Sequence, residues 1–190
     1  MKTKILSLTL LLCFVFVSCN ETKKETVKQK TTTEKVEHKG QAAVVDKESA
    51  PNALQVAMSL DAFKTLVVAV KAAGVEDALV NAGPLTVFAP VNEAFGKLPK
   101  GTVETLLKPE NKSKLAFILK NHVAPANYPV KTLEKNVRKN RKLYMASGKY
   151  LEVTKQGDDL FVGGTKVLKS VKVSNGWVHV IGDVLVPSDK

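Results

Sequence analysis

The 190-residue chain is long enough to bury the core of one domain, and its formal net charge of +11 favours acidic partners over basic ones. Its only two cysteines, Cys13 and Cys19, lie close to the N-terminus. The rest of the chain therefore has no thiol for a disulfide, a thiolate nucleophile or a cysteine-ligated zinc site.

Residues 1–18 have the pattern of a bacterial lipoprotein signal peptide. Two lysines precede an apolar run from Ile5 to Val17, which contains no charge and is too short to cross a bilayer comfortably. The run ends in FVSCN, where Ser18 before Cys19 resembles the lipobox whose cysteine becomes the acylated N-terminus. An ordinary cleaved signal is the alternative, but Phe16 stands where that signal needs a small residue. We expect Cys19 to be lipidated and to anchor the protein to a bacterial outer membrane, on its periplasmic or its outer side.

Residues 19–50 are predicted to be this lipidated N-terminus followed by a flexible tether. From Glu21 to Ala50 the chain alternates lysine, glutamate and threonine without any aromatic residue, so it cannot bury enough apolar surface to offset the entropy of ordering. A flexible coil of this length spans on the order of 30 Å. Residues 51–190 are predicted to form a single domain with a net charge of +8.

The first half of the domain is predicted to be mainly helical. Apolar residues at spacings of three and four place one stripe on a single helical segment that ends at Gly74. The residues of this stripe are Val56, Leu60, Phe63, Val67 and Val70. Further along, the pattern predicts a helix over Val75–Asn81, a buried strand over Leu85–Ala89, a helix from Glu93 capped by Asn92, and helices over Thr102–Leu107 and Ser113–Asn121.

The second half is predicted to consist of short strands joined as antiparallel hairpins. The strands are expected over Leu143–Ala146, Tyr150–Thr154, Leu160–Val162, Val171–Val173, Trp177–Ile181 and Val184–Val186. The Asn175-Gly176 pair favours a type I′ turn between two of them. Helices followed by strands, rather than alternating with them, indicate the α+β class.

Two long segments resemble the signatures of the fasciclin (FAS1) domain family. They are TVFAPVNEAFGKLP, from Thr86 to Pro99, and SNGWVHVIGDVLVP, from Ser174 to Pro187. Their order and separation match one FAS1 domain over Asn52–Pro187. The resemblance implies a β-sandwich or wedge with several short helices packed against it. It also implies a secreted or membrane-anchored adhesion module without catalytic turnover, whose partner is a cell-surface or matrix protein or a polysaccharide.

Two positions depart from the family pattern. Asn121 stands in NHV where the family has a tyrosine before its histidine, and Ser170-Val171 stands where animal members carry an Asp-Ile pair associated with integrin binding. Because the acidic ligand is missing, animal-type integrin binding is not expected here. Nucleic acid is not expected as a partner either, since the chain carries an export signal.

Two histidines in the domain are the candidates for chemistry, and the sequence favours a structural role for both. His122 and His179 lie among valines, with no cysteine or carboxylate at a metal-ligand spacing beside them. No metal site, cofactor site or catalytic residue is predicted. The alternative is an envelope hydrolase whose site is assembled from distant residues around His122 or His179.

Trp177 and a basic segment are the candidate binding residues. Trp177 follows a tight turn and is a candidate platform for a sugar ring, although ordinary packing is the alternative. Between Lys131 and Lys142 the chain has six basic residues and one acid. We expect this segment to be an exposed loop that binds an anionic polymer, or else a loop that is only solvated. Its basic residues are Lys131, Lys135, Arg138, Lys139, Arg141 and Lys142.

Overall fold

The computed structural model describes residues 50–80 and 83–187. Its helices are α1 (Ala53–Ser59), α2 (Lys64–Ala73), α3 (Glu76–Val80), α4 (Asn92–Gly96), α5 (Thr102–Leu106), α6 (Lys112–Lys120) and α7 (Val130–Arg138). Its strands are β1 (Leu85–Pro90), β2 (Val123–Ala124), β3 (Leu143–Tyr144), β4 (Tyr150–Leu151), β5 (Val153–Gln156), β6 (Asp159–Val162), β7 (Thr165–Val173) and β8 (Gly176–Ile181). The predicted α+β class is confirmed.

A six-stranded mixed sheet forms the centre of the domain, with the strand order β2-β1-β8-β7-β6-β5. Strands β5 to β8 pair in sequence as antiparallel hairpins, as predicted. The sequence did not indicate that β1 and β8 pair in parallel, in a register that runs from Leu85 opposite Gly176 to Pro90 opposite Ile181. The two signature segments therefore lie side by side in the sheet. Strands β3 and β4 form a separate hairpin.

Each face of the sheet covers its own apolar core, because side chains alternate along a strand. Leu85, Val87 and Val178 belong to the core that also contains buried residues of α1, α2 and α6. Phe88 and Ile181 point to the other core, which contains residues of α7, β3, β5 and β6. Strand β1 is buried along its whole length because it is covered on both faces.

The predicted helical segment up to Gly74 is interrupted at Leu60, so the prediction of one continuous helix was wrong. Leu60 is extended, with φ −117° and ψ 124°, and its side chain is 48% exposed. A single 3-10 turn, Asp61–Phe63, then leads into α2. The end of α2 is as predicted, since Gly74 adopts the left-handed conformation with φ 66°. Among the residues that the structure describes, no single helix is long and apolar enough to span a membrane. Ala53–Ser59 and Asp61–Ala73 reach the required length and composition only when taken together, and this pair is bent by 107°.

Asn92 does not cap α4, so the prediction that its side chain caps this helix was wrong. The residue before α4 is Val91, and no side chain caps the helix there. Asn92 instead accepts a hydrogen bond from the Thr65 N–H at 3.1 Å and donates one to the Asp61 carbonyl at 2.8 Å. Its side chain thus satisfies backbone groups at the start of α2 and ties α4 to that helix.

The turn between β7 and β8 is not of type I′. A type I′ turn needs a positive φ at both central residues, and the φ of Asn175 is not positive. The strands close one residue earlier, with Val173 opposite Gly176. This geometry turns the Asn175 amide inward, where it accepts a hydrogen bond from the Ala53 N–H at 3.1 Å and donates one to the Leu79 carbonyl at 2.8 Å.

The predicted strand over Val184–Val186 does not form, although the segment is held against the domain. Asn121 and His122 bind the backbone of Leu185 through their side chains. The Leu185 N–H donates to His122 Nε2 at 2.9 Å, and the Leu185 carbonyl accepts from Asn121 Nδ2 at 3.1 Å. Two side chains thus provide the hydrogen bonds that a neighbouring strand would otherwise give.

Candidate functional site

The six basic residues of the segment Lys131–Lys142 share one exposed region, which we call the basic surface. The prediction that they lie in a loop was wrong for the first three, which are on α7. Val130, Leu133 and Val137 form a narrow apolar stripe on that helix, and Leu133 is fully buried against the second core. The segment has few apolar residues, but their spacing of three and four is enough for one packed face. All six cations are exposed: Lys131, Lys135, Arg138, Lys139, Arg141 and Lys142.

The end of α7 positions the remaining cations. Asn140 adopts the left-handed conformation with φ 49°, a role that glycine more often takes. The Arg141 N–H then donates to the Asn136 carbonyl at 2.9 Å, which closes the helix. Cations near this end are favoured because the C-terminus of a helix carries partial negative charge.

The charge of the basic surface is mostly uncompensated. Lys142 forms an ion pair with Glu152 at 2.9 Å, and the hydrogen bond from Lys142 lowers the pKa of the Glu152 carboxyl. Glu134, the one acid in the segment, pairs with Lys155 of β5 at 3.1 Å. Within residues 50–80 and 83–187, the other five cations of the surface have no ion-pair partner. The surface therefore presents a concentrated positive field to solvent.

His122 is buried and both of its ring nitrogens are bonded to backbone atoms. Nδ1 lies 2.8 Å from the Ile118 carbonyl and donates to it, since Nε2 accepts the Leu185 N–H. Burial lowers the pKa of His122 from 6.5 to about 4, although the bond to Ile118 opposes this shift. The neutral imidazole is therefore the form that the fold holds.

His179 is also enclosed, and it forms a serine–histidine pair. Its Nδ1 lies 2.7 Å from Ser170 Oγ, and its Nε2 lies 2.8 Å from the Tyr128 carbonyl. The carbonyl fixes the proton on Nε2, so Nδ1 accepts from the serine. Burial lowers the pKa of His179, while the bond to Tyr128 opposes this shift. The aligned position of the animal Asp-Ile pair thus carries Ser170, whose hydroxyl is directed to a histidine.

Trp177 is half-buried at the start of β8. Its ring lies nearly parallel to that of His179, with centroids 6.2 Å apart and planes 9° apart. Beside it lies a shallow depression of about 290 Å³ that Pro84, Asn127 and Lys172 help to line. The role of Trp177 as a sugar platform stays a prediction.

A cavity of about 420 Å³ lies between the helices and the C-terminal segment, and no pattern in the sequence predicts it. Phe95 and Leu98 of the first signature line it together with Val184 and Val186 of the second. Its interior is mostly apolar, and the imidazole of His122 lies at its wall. The cavity arises where residues 184–186 leave the sheet, a feature that strand prediction misses.

Three further points from the sequence concern a metal site, the lipidation residue and the residue that replaces the family tyrosine. In residues 50–80 and 83–187, no three histidine, cysteine, aspartate or glutamate side chains are grouped to hold a metal ion. Cys19 and the predicted tether up to residue 49 lie outside the described residues. Asn121, which replaces the family tyrosine, is buried and accepts a hydrogen bond from Ser147 Oγ at 2.8 Å.

Comparison with known proteins decides the family. The fasciclin domain model matches residues 61–187. This chain belongs to the fasciclin domain family. Protein sll1483 of Synechocystis sp. is 42% identical to it over 156 residues, which cover 82% of this chain and 83% of that protein. Uncharacterized protein sll1735 of Synechocystis sp. is 33% identical over 136 residues, covering 72% of this chain and 98% of that protein.

A solved fasciclin structure is also similar. It is a FAS1 domain pair from the insect cell adhesion molecule Fasciclin I, with a TM-score of 0.49 and 23% identity, covering 65% of this chain and 45% of that one. The resemblance inferred from the two signatures is confirmed by the match of the fasciclin domain model. In this fasciclin domain the signatures form the adjacent strands β1 and β8 and then line the cavity from two sides.

Proposed function

We propose that this protein is a lipid-anchored binding module of the bacterial cell envelope that works without catalytic turnover. In this proposal Cys19 is acylated and anchors the protein to the outer membrane, and residues 19–50 tether the fasciclin domain above the lipid surface. The basic surface then recognises an anionic partner, such as an acidic envelope polysaccharide. Membership of the fasciclin domain family supports the coarser part of this proposal, a binding module without turnover, because this is what the resemblance to the family implies.

The observation that carries the proposal is the uncompensated charge of the basic surface. Five exposed cations without an ion-pair partner in the described residues lie within one helix and the few residues after it. Charges this close add their fields over the ~8 Å Debye length of physiological salt. Arg138 and Arg141 add planar guanidinium groups, which bind carboxylate and phosphate oxygens in pairs.

The alternative of an envelope hydrolase at His122 or His179 has no comparable support from the geometry. Both ring nitrogens of His122 are used for backbone hydrogen bonds. His179 accepts from Ser170, but the group behind its imidazole is a peptide carbonyl rather than a carboxylate. A peptide carbonyl does not stabilise the imidazolium that a serine hydrolase forms during its reaction as a carboxylate does.

A retention experiment tests the proposal. The protein is coupled to beads and exposed to fragments of bacterial envelope, and the retained material is then eluted with rising salt. The proposal predicts that acidic polymers are retained at low salt and released by moderate salt, because the contact is electrostatic. Retention of uncharged polymers alone, or of material that salt does not release, would contradict it.

A further inference from the structure

The cavity between the helices and the C-terminal segment has the features of a ligand site. Its volume of about 420 Å³ lies in the range of roughly 300–1,000 Å³ that is usual for small-molecule pockets. Most of its lining is apolar, including the buried Leu115 and Leu119 of α6. Such a cavity holds water poorly, because a buried water molecule needs several polar partners.

The opening of this cavity is basic. Lys100, which precedes α5, and Lys114, on α6, both line the cavity and are both exposed. Neither lysine has an ion-pair partner among the residues that the structure describes, and no aspartate or glutamate lines the cavity. An apolar interior therefore meets two free ammonium groups at its mouth.

We propose that this cavity binds an amphiphile with one apolar chain and an anionic head group, such as a fatty acid. The chain occupies the apolar interior between Phe95 and Val184, and the head group lies at the mouth beside Lys100 and Lys114. The two lysines supply charge-assisted hydrogen bonds to the head group. The complementary charge favours a fatty acid over a neutral lipid or an apolar protein segment. This site is separate from the basic surface, so each proposal stands without the other.

Titration calorimetry with dodecanoate, kept below its micelle concentration, tests the inference. The mature chain from residue 19 is used with Cys19→Ala, so that no detergent competes for the cavity. We expect saturable binding of one dodecanoate per chain and at least tenfold weaker binding of dodecanol, because the neutral head group lacks the charge-assisted bonds.

Variants assign the binding to the cavity. The double variant Lys100→Glu with Lys114→Glu is expected to weaken dodecanoate binding at least tenfold. The matched control, Lys112→Glu with Lys120→Glu, makes the same charge change on α6 outside this cavity and is expected to bind as the parent does. Thr105 is exposed and lines the cavity, so Thr105→Trp adds bulk at the mouth and is expected to weaken binding without unfolding the domain.

Several results would overturn the inference. One is the absence of saturable dodecanoate binding, and another is dodecanol binding as tight as that of dodecanoate. Equal loss of binding in both double variants would show only a general charge effect. Dimerisation of the parent that Thr105→Trp abolishes would assign the cavity to a second copy of the chain instead.

Discussion

The Leu185 N–H donates a hydrogen bond of 2.9 Å to Nε2 of the buried His122. This contact fixes both the tautomer of the imidazole and the path of the C-terminal segment, because Nδ1 must then donate to the Ile118 carbonyl. A protonated ring has no lone pair to accept from Leu185. The closing segment of the fasciclin domain is therefore held by a histidine that has to stay neutral.

The first prediction concerns the pH dependence of stability. Burial lowers the pKa of His122 from 6.5 to about 4, so between these values the unfolded chain binds a proton that the folded chain does not. The stabilisation is full above pH 6.5 and falls as the pH drops towards 4, by on the order of 3 kcal/mol in total. Burial also lowers the pKa of His179, which acts in the same direction.

Urea unfolding at pH 7.5, 5.5 and 4.5 measures this effect. His122→Gln removes the titrating group, so its free energy of unfolding should fall less steeply over this range than that of the parent. Parallel curves for parent and variant would show that His122 does not control the acid sensitivity.

The second prediction concerns Gly176, where β8 passes close to β1. A Cβ atom at this position would lie 1.8 Å from the backbone oxygen of Leu85, and φ is 144°. Because backbone cannot move aside as a side chain can, Gly176→Ala should cost more than about 4 kcal/mol or prevent folding. Gly96→Ala on α4 is the matched control, since a Cβ atom there would meet nothing within 4 Å beyond its chain neighbours and the backbone of its own helix. Thermal melting that shows similar midpoints for the two variants would contradict the tight pairing of β1 and β8.

The third prediction concerns the buried amide of Asn175. It binds the Ala53 N–H and the Leu79 carbonyl, so Asn175→Ala leaves backbone groups of α1 and α3 without a partner. We expect a loss of about 2–4 kcal/mol in the free energy of unfolding. Hydrogen exchange should also become faster at Ala53. The control is Ser174→Ala at the exposed neighbouring residue, which should change the free energy of unfolding by less than about 0.5 kcal/mol. An equal effect of the two variants would refute the role of Asn175 in joining α1 to α3.

The fourth prediction concerns lipidation. Cells that express the full chain and are fed a clickable fatty acid should label the wild type and Cys13→Ala but not Cys19→Ala. The reason is that Cys13 lies in the segment that we expect to be removed. Several acyl chains contribute about 0.8 kcal/mol per buried CH₂ and hold a protein firmly on a membrane. Labelling of Cys19→Ala at the wild-type level would contradict the proposed anchor.

Local patterns in the sequence predicted much of the fold. The positions of α6 and β8 follow from apolar spacing, and the end of α2 follows from Gly74, because each depends on residues close in sequence. The parallel pairing of β1 with β8 was not predicted, since it joins residues about 90 positions apart and leaves no local pattern.

The wrong predictions have the same physical cause as the missed strand pairing, because contacts between residues distant in sequence decide the outcome. Asn92 has the side chain of a helix cap, but a tertiary contact with Thr65 and Asp61 uses it instead. The number of charges in the basic surface favours a loop over a packed helix, yet Leu133 and its neighbours have a partner in the second core. The cavity depends on where the C-terminal segment leaves the sheet, which only the folded chain defines.

Charge reversal tests whether the basic surface binds an anionic partner. The test variant replaces four of its cations by glutamate and spares Lys142, whose partner is Glu152. The control variant replaces four exposed lysines elsewhere, so that the net charge changes equally. The test set is Lys135, Arg138, Lys139 and Arg141, and the control set is Lys108, Lys112, Lys120 and Lys169.

Adsorption of parent, test and control variants to an acidic polysaccharide is measured at low salt. Both variants should melt near the parent temperature, because exposed charges contribute little to stability. We expect the control variant to adsorb nearly as well as the parent and the test variant to lose most of its adsorption. Adsorption of the test variant at the level of the parent would show that the basic surface, on α7 and the residues after it, is only solvated.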